Sequence, residues 1–191
     1  MASRPIAEII KEYGPYVLEE MVNYWKTEGL GTLLDGYLRA IDPNEYIQFT
    51  RETCHDGFFV DMIPVFSTAF GDLLIWAKDE EGDWGIGILK YKEICSDYVG
   101  SDMELFFDEL KNDPMAFDEP AFPEDGEEEG ELEYGLYLEA VKKWGPVERD
   151  ECFTYVPFLF LGGEKSVDKL KKVKMRECLY LIEQFTGGIN G

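Results

Sequence analysis

With 191 residues, 45% of them hydrophobic and 15% aromatic, the chain can bury about 70% of its unfolded surface in one large or two small cores, which excludes a wholly disordered polymer. Forty acidic residues against 18 basic ones give a formal net charge of −22, a field that repels nucleic acid and anionic membrane and favours encounter with a basic partner. No run approaches the roughly 18 apolar residues that a membrane span needs, and MASRPIAEIIKEYGP carries acids inside its apolar stretch, so no signal peptide is expected.

In chain order, Ile6, Ile9, Ile10 and Tyr13 recur at helical spacing and stop at Gly14-Pro15. A second helix carries Val17, Leu18, Met21, Val22 and Trp25 on one face and ends at Gly29. GLGTLLDGYLRAIDP then reads as a glycine-rich approach, a short apolar strand and a stop at Asp42-Pro43, with a third helix from Asn44 to Cys54. The centre is strand-rich. Val60 to Ser67, Asp72 to Ala77 and Trp84 to Tyr91 are short β-branched and aromatic runs, and KDEEGD between the last two predicts an antiparallel hairpin.

SDMELFFDEL predicts a helix with Met103, Phe106, Phe107 and Leu110 on one face and Ser101 and Glu104 as a capping box. The acidic, proline-bearing stretch that follows reads as a loop. Tyr137, Ala140, Val141 and Trp144 predict a helix closed by Gly145-Pro146. Strands follow at about Cys152 to Leu161 and Leu170 to Lys174, and a last helix carries Cys178, Leu181, Ile182 and Phe185. Helices at both ends around antiparallel strands make the fold α+β: a central antiparallel sheet with helices at both ends, in two closely packed halves. The four tryptophans, Trp25, Trp76, Trp84 and Trp144, sit in amphipathic patterns and are assigned to the core.

The charge is unevenly placed. No basic residue lies between Lys111 and Lys142, and Asp118 to Glu133 holds nine acids, whereas six of the 18 basic residues fall between Lys165 and Arg176.

The chemistry-bearing motifs are few. LGGEKS falls short of a phosphate-binding loop, because its glycines are adjacent and Glu164 would repel a phosphate; it reads as a tight turn. WGIGILKY is strand-like and is followed by no helix, so it is not a dinucleotide fingerprint. His55 is the only histidine and no G-x-S-x-G elbow accompanies it. Cys54, Cys95, Cys152 and Cys178 are far apart without a C-x-x-C pair; they read as reduced thiols, with too few grouped ligands for zinc. KDEEGD lacks the ligand rhythm of a calcium loop. No catalytic residue, cofactor or metal site is assigned, and an enzyme is not expected.

GLGTLLDGYLRAIDPNEY followed by PVFSTAFGDLLIW resembles the GAD-like domain found beside bacterial type VI secretion genes, and FTYVPFLFLGGEKSVDKLKKVKM is similar to the C-terminal segment of an immunity protein that blocks a type VI DNase toxin. The resemblance spans Tyr13 to Phe185. It implies a GAD-like part over 1-112, an acidic loop over 113-130 and a C-terminal immunity-family segment over 131-191, packed on the first. It implies a cytoplasmic bacterial protein of toxin–antitoxin type that binds a co-encoded effector and transforms no substrate. The motif positions Gly31, Asp35, Gly36, Asp42, Pro43, Ala69, Phe70, Gly71, Asp72, Gly162 and Gly163 are given structural work: tight turns, and a cap at Asp42-Pro43.

A nuclease must hold a polyanion, so its binding face tends to be basic. An acidic inhibitor can dock there and exclude substrate. The candidate toxin-binding residues are therefore Asp118, Glu119, Glu124, Asp125, Glu127, Glu128, Glu129, Glu131 and Glu133, with Asp79, Glu80, Glu81 and Asp83 as a second set. The partner is the cognate effector, with no direct nucleic acid and no membrane. The competing reading is an acidic protein-interaction or ligand-binding module without a toxin target.

Overall fold

The computed structural model describes residues 4–55, 57–112 and 133–190. The first set of candidate contacts, apart from Glu133, lies outside the described residues. Two short helices open the chain, α1 (Ile6–Tyr13) and α2 (Glu19–Glu28). Strands β1 (Thr32–Leu33) and β2 (Leu38–Ala40) flank a 3-10 turn in which Asp35 and Gly36 take positive φ. The apolar run from Leu30 to Ile41 is thus two strands and a corner rather than one strand, because Asp35-Gly36 reverses it. Asp42 accepts from the Asn44 backbone N–H while Pro43 occupies the first turn, so this pair caps and starts a 3-10 turn ahead of α3 (Ile47–Thr53).

Strand β3 (Cys54–His55) is followed by the long β4 (Phe59–Thr68), then β5 (Leu73–Asp79), β6 (Trp84–Lys90) and β7 (Cys95–Gly100). They give a six-stranded antiparallel sheet in the order β1-β2-β4-β5-β6-β7. The expected hairpin is present, with Lys78 opposite Trp84. Helix α4 (Met103–Asn112) is capped by Asp102, whose carboxylate accepts from the Leu105 N–H at 2.9 Å, so the cap falls one residue later than the Ser101 box predicts. Asp and Ser serve equally well at that position, and the sequence offers both side by side.

The C-terminal half contains α5 (Glu133–Trp144), a ladder of β8 (Glu151–Tyr155) with β9 (Leu170–Lys174), and α6 (Met175–Thr186). A two-residue β10 (Ile189–Asn190) pairs in parallel with β3 and returns the chain end to the first half. The strand expected from Cys152 to Leu161 stops at Tyr155, since Pro157 has no N–H to give to a ladder and Leu159–Leu161 turns as a 3-10 helix.

Alternation along β4 to β6 sends side chains to both sheet faces. Leu73, Ile75, Ala77 and Leu89 pack against Phe49 of α3 and Cys178, Leu179 and Ile182 of α6. Leu74, Trp76, Ile86 and Ile88 pack against Ile9, Met21, Trp25 and Phe106 of α1, α2 and α4. A third cluster joins Tyr37, Ala69 and Phe70 to Tyr137 and Ala140 of α5 and Phe153 of β8, which fixes the two halves together. Trp25 and Trp76 are core residues as expected and Trp84 stacks on Trp76, whereas Trp144 is 39% exposed. Trp144 ends α5 on the outer side and lies beneath the Lys143 and Lys171 ammonium groups, at 5.0 and 5.3 Å.

Candidate partner-binding surface

The second acidic set occupies the tip of the β5–β6 hairpin. A sharp reversal needs acceptors for its loose N–H groups, and the sequence provides one locally. The Asp79 carboxylate accepts from the backbone N–H of Gly82 and of Asp83, both at 2.8 Å, and Gly82 supplies the positive φ (+97°). Asp79 therefore builds the turn, while Glu80, Glu81 and Asp83 project into solvent. The structure brings four acids together within one five-residue turn.

Beside the turn the sheet is unusually thin. Gly85 and Gly87 alternate on one face of β6, and aromatic rings occupy the space that their side chains would need. A Cβ on Gly85 would stand 2.5 Å from Tyr98 Cε2, and one on Gly87 would stand 2.5 Å from Phe59 Cζ. Tyr98 is held on the bare backbone yet remains 43% exposed, and the equally exposed Phe58 meets its ring edge-on at 6.2 Å between centroids. Asp79, Asp83, Trp84, Tyr98 and Ser101 line a cavity of about 370 Å3 at this corner, with no basic residue among them. Sequence reasoning selected Asp79 and Asp83 but missed Tyr98. The signal was there: two glycines spaced for one strand face ask what covers them.

Glu133, the described member of the first set, has a different setting. It opens α5, accepts a hydrogen bond from Tyr37 Oη at 2.8 Å and pairs with Lys92 Nζ at 2.8 Å. Lys92 is almost fully buried and also pairs with Asp72, which has no exposed surface. Burial drives the Asp72 carboxyl up to about 6; Lys92 opposes this, while the nearby Glu133 and Glu93 charges add to it. Burial alone would lower Lys92, but its carboxylate neighbours, Asp72 foremost, hold it above the usual ammonium range.

A second interior cation completes the seam. Arg39 of β2, 5% exposed, donates to the carbonyls of Glu148 (2.8 Å), Glu151 (2.7 Å) and Thr68 (2.9 Å). Both networks cross from the first half to the second. Asp72, Lys92 and Arg39 are buried, whereas the Glu133 side chain keeps 24% of its surface exposed.

Gly162 sits at φ +83°, and a Cβ on Gly163 would collide with the carbonyl oxygens of Pro157 and Phe158, so LGGEKS is a tight turn. Lys165 of that turn pairs with Glu93 at 2.5 Å. His55 is exposed at the end of β3, and Cys54, Cys95, Cys152 and Cys178 form no disulfide. Among the described residues no group of His, Cys, Asp and Glu is arranged to hold a metal ion, and no helix is long and apolar enough to cross a membrane.

Comparison with known proteins matches two family models to the chain. Residues 2–89 match the GAD-like domain, and residues 102–186 match the C-terminal domain of the T6SS immunity protein Tdi1. No curated protein matches by sequence. Among solved structures, the crystal structure of Atu4351 from Agrobacterium tumefaciens superposes with a TM-score of 0.71 over 96% of this chain and 82% of that one, at 19% identity, which establishes a shared fold.

Proposed function

Because the chain belongs to the type VI secretion immunity proteins, through its GAD-like domain and its Tdi1-type C-terminal domain, we propose that it binds a co-encoded antibacterial effector and neutralises it by covering the effector's basic substrate face. The single observation that carries this reading is the immunity-family match over residues 102–186. The net charge of −22 supports the choice of a cationic target, with a nuclease as the effector class that must present such a face. The mechanism is occupancy. A like-charged competitor for a polyanion's site gains steered association and displaces substrate with no chemistry of its own.

In this reading the contacts are Asp79, Glu80, Glu81 and Asp83 at the hairpin, together with Asp118 to Glu131. Glu133 pairs with Lys92 and accepts from Tyr37 while keeping 24% of its side chain exposed, and it belongs to the same proposed contact set. The test is co-purification with the product of the adjacent gene, followed by expression of that product in cells with and without this chain. Protection with a stable complex is expected; survival of cells lacking the chain sinks the proposal. Reversing Glu127, Glu128 and Glu129 should weaken the complex and flatten its salt dependence, and unchanged binding removes that stretch from the interface.

A further inference from the structure

We infer that the corner formed by Asp79, Asp83, Trp84, Tyr98 and Ser101 is a receptor for a single cationic side chain, an arginine of the protein partner, and that it anchors the interface. The inference rests on the immunity reading for the identity of the partner, but the chemistry of the corner stands on its own geometry.

Three separate features converge there. The surface is concave, with a cavity of about 370 Å3, which can admit one guanidinium group and its stem. Two carboxylates line it, and the one cation at the turn, Lys78, whose stem lies beside Gly82, is outside the lining. It also has an aromatic ring fixed in place: Tyr98 lies over Gly85 where any larger residue would displace it, and is braced at its edge by Phe58. An acidic turn without the ring would be a solvated loop, and a ring without the acids would be an apolar patch. Together they offer a cation both a π face and charged acceptors. Asp79 takes the Gly82 and Asp83 N–H groups through Oδ1 alone, whereas the Asp83 carboxylate holds no N–H of the turn and is the freer of the two for direct pairing.

Arginine suits the corner better than lysine. Its planar group stacks on a ring while its N–H fork reaches a carboxylate, and it is the more weakly hydrated of the two cations. A fixed, exposed aromatic is also the kind of residue from which interface anchors are made.

The test uses the whole chain and two arms. In the first, the 15N-labelled protein is titrated with arginine amide, and separately with citrulline amide as a neutral isostere. Saturable shifts at the amides of Asp83, Trp84, Gly85, Tyr98 and Ser101 with arginine only, lost in Asp83→Asn, are expected. Equal shifts with citrulline, or shifts spread over every acidic surface, overturn the inference. Asp83→Asn is safe for folding because the backbone N–H of Asp83, not its side chain, holds the turn.

In the second arm, binding to the adjacent gene's product is compared for wild type, Asp83→Asn and Tyr98→Leu. A loss of about tenfold or more in each variant is expected for an anchor position. Unchanged affinity overturns the inference while leaving the immunity reading intact. Absence of wild-type binding sinks the immunity reading, and the arginine titration then decides the corner alone.

Discussion

Two regions of this molecule use the same side chains for opposite ends. At the interior seam, Asp72 and Lys92 are removed from water and each has a partner across the fold, with Glu133 closing the group from α5. At the hairpin tip, Asp79, Glu80, Glu81 and Asp83 crowd into five residues with no cation among the residues lining the adjoining cavity. The seam resolves its charge internally. At the tip the Asp79 carboxylate takes two turn N–H groups and the Lys78 stem lies beside Gly82, while Glu80, Glu81 and Asp83 stay in water, which screens them. Charge that is satisfied inside the protein reports on folding; charge left outside reports on what the protein meets.

The largest effect should come from unbalancing the seam. Lys92→Met leaves Asp72 and Glu133 facing one another without their shared cation, which costs about 3–5 kcal/mol. Urea unfolding at pH 8 would measure it, and the double change Lys92→Met with Asp72→Asn should recover a large part of the loss. If the single and double variants unfold alike, the seam is not an ion network in any energetic sense. Arg39→Met comes next. It removes a donor from the carbonyls of Glu148, Glu151 and Thr68, but the Glu148 and Thr68 oxygens still accept from the Glu151 and Gly71 N–H groups, so the loss should be about 1–3 kcal/mol in all. Hydrogen exchange should quicken first at Cys152 and Phe153, because β8 is what Arg39 ties to the sheet.

The contrast between the regions also explains which features the amino-acid sequence reveals by itself. The hairpin was legible because its cause is local: KDEEGD between two strand-like runs is both the turn and its stabilising acceptor. Helices α1, α5 and α6 were legible for the same reason, in that their apolar periods and Gly stops lie within one segment. The seam was not, since Asp72, Lys92 and Glu133 are separated by the length of two or more elements and nothing local marks them as partners. Strand β7 escaped notice because CSDYVG is polar and glycine-ended, as suits a sheet edge that no core pattern governs. The run after Cys152, apolar but for Thr154, hid the end of β8, for it shows no alternation to mark where the strand stops. The aromatic half of the candidate corner required knowing that Tyr98 pairs opposite Gly87 on the neighbouring strand and lays its ring over Gly85.

The acidity of the seam gives a smaller and signed effect. Asp72 is raised from 3.8 to about 6 in the folded state by burial, so the native protein binds more protons than the unfolded chain across that interval. Its contribution is complete below 3.8 and is lost as the pH rises through about 6. Between pH 3.8 and about 6, wild-type stability should therefore fall relative to Asp72→Asn and level off above that, as read from denaturant midpoints at each pH. Parallel curves would mean that Asp72 ionises in the native state as easily as in the unfolded one.

The tip should show the reverse pattern, with almost no effect on stability and a clear effect on encounter. Glu80 and Glu81 are exposed and support no hydrogen bond in the turn, which Asp79 and Gly82 hold. Reversing both to lysine should leave unfolding within about 0.5 kcal/mol of wild type. Association with a basic effector should slow, by on the order of tenfold at low salt, because steering depends on the unscreened field. The difference should shrink as salt is added, since the screening length falls from about 10 Å at 0.1 M to about 3 Å at 1 M. Stopped-flow rates across that range separate the two possible roles. Slowing that persists at high salt would place Glu80 and Glu81 in direct contact with the effector, whereas slowing that vanishes would make them a guide for approach and leave the contact itself to the corner beneath them.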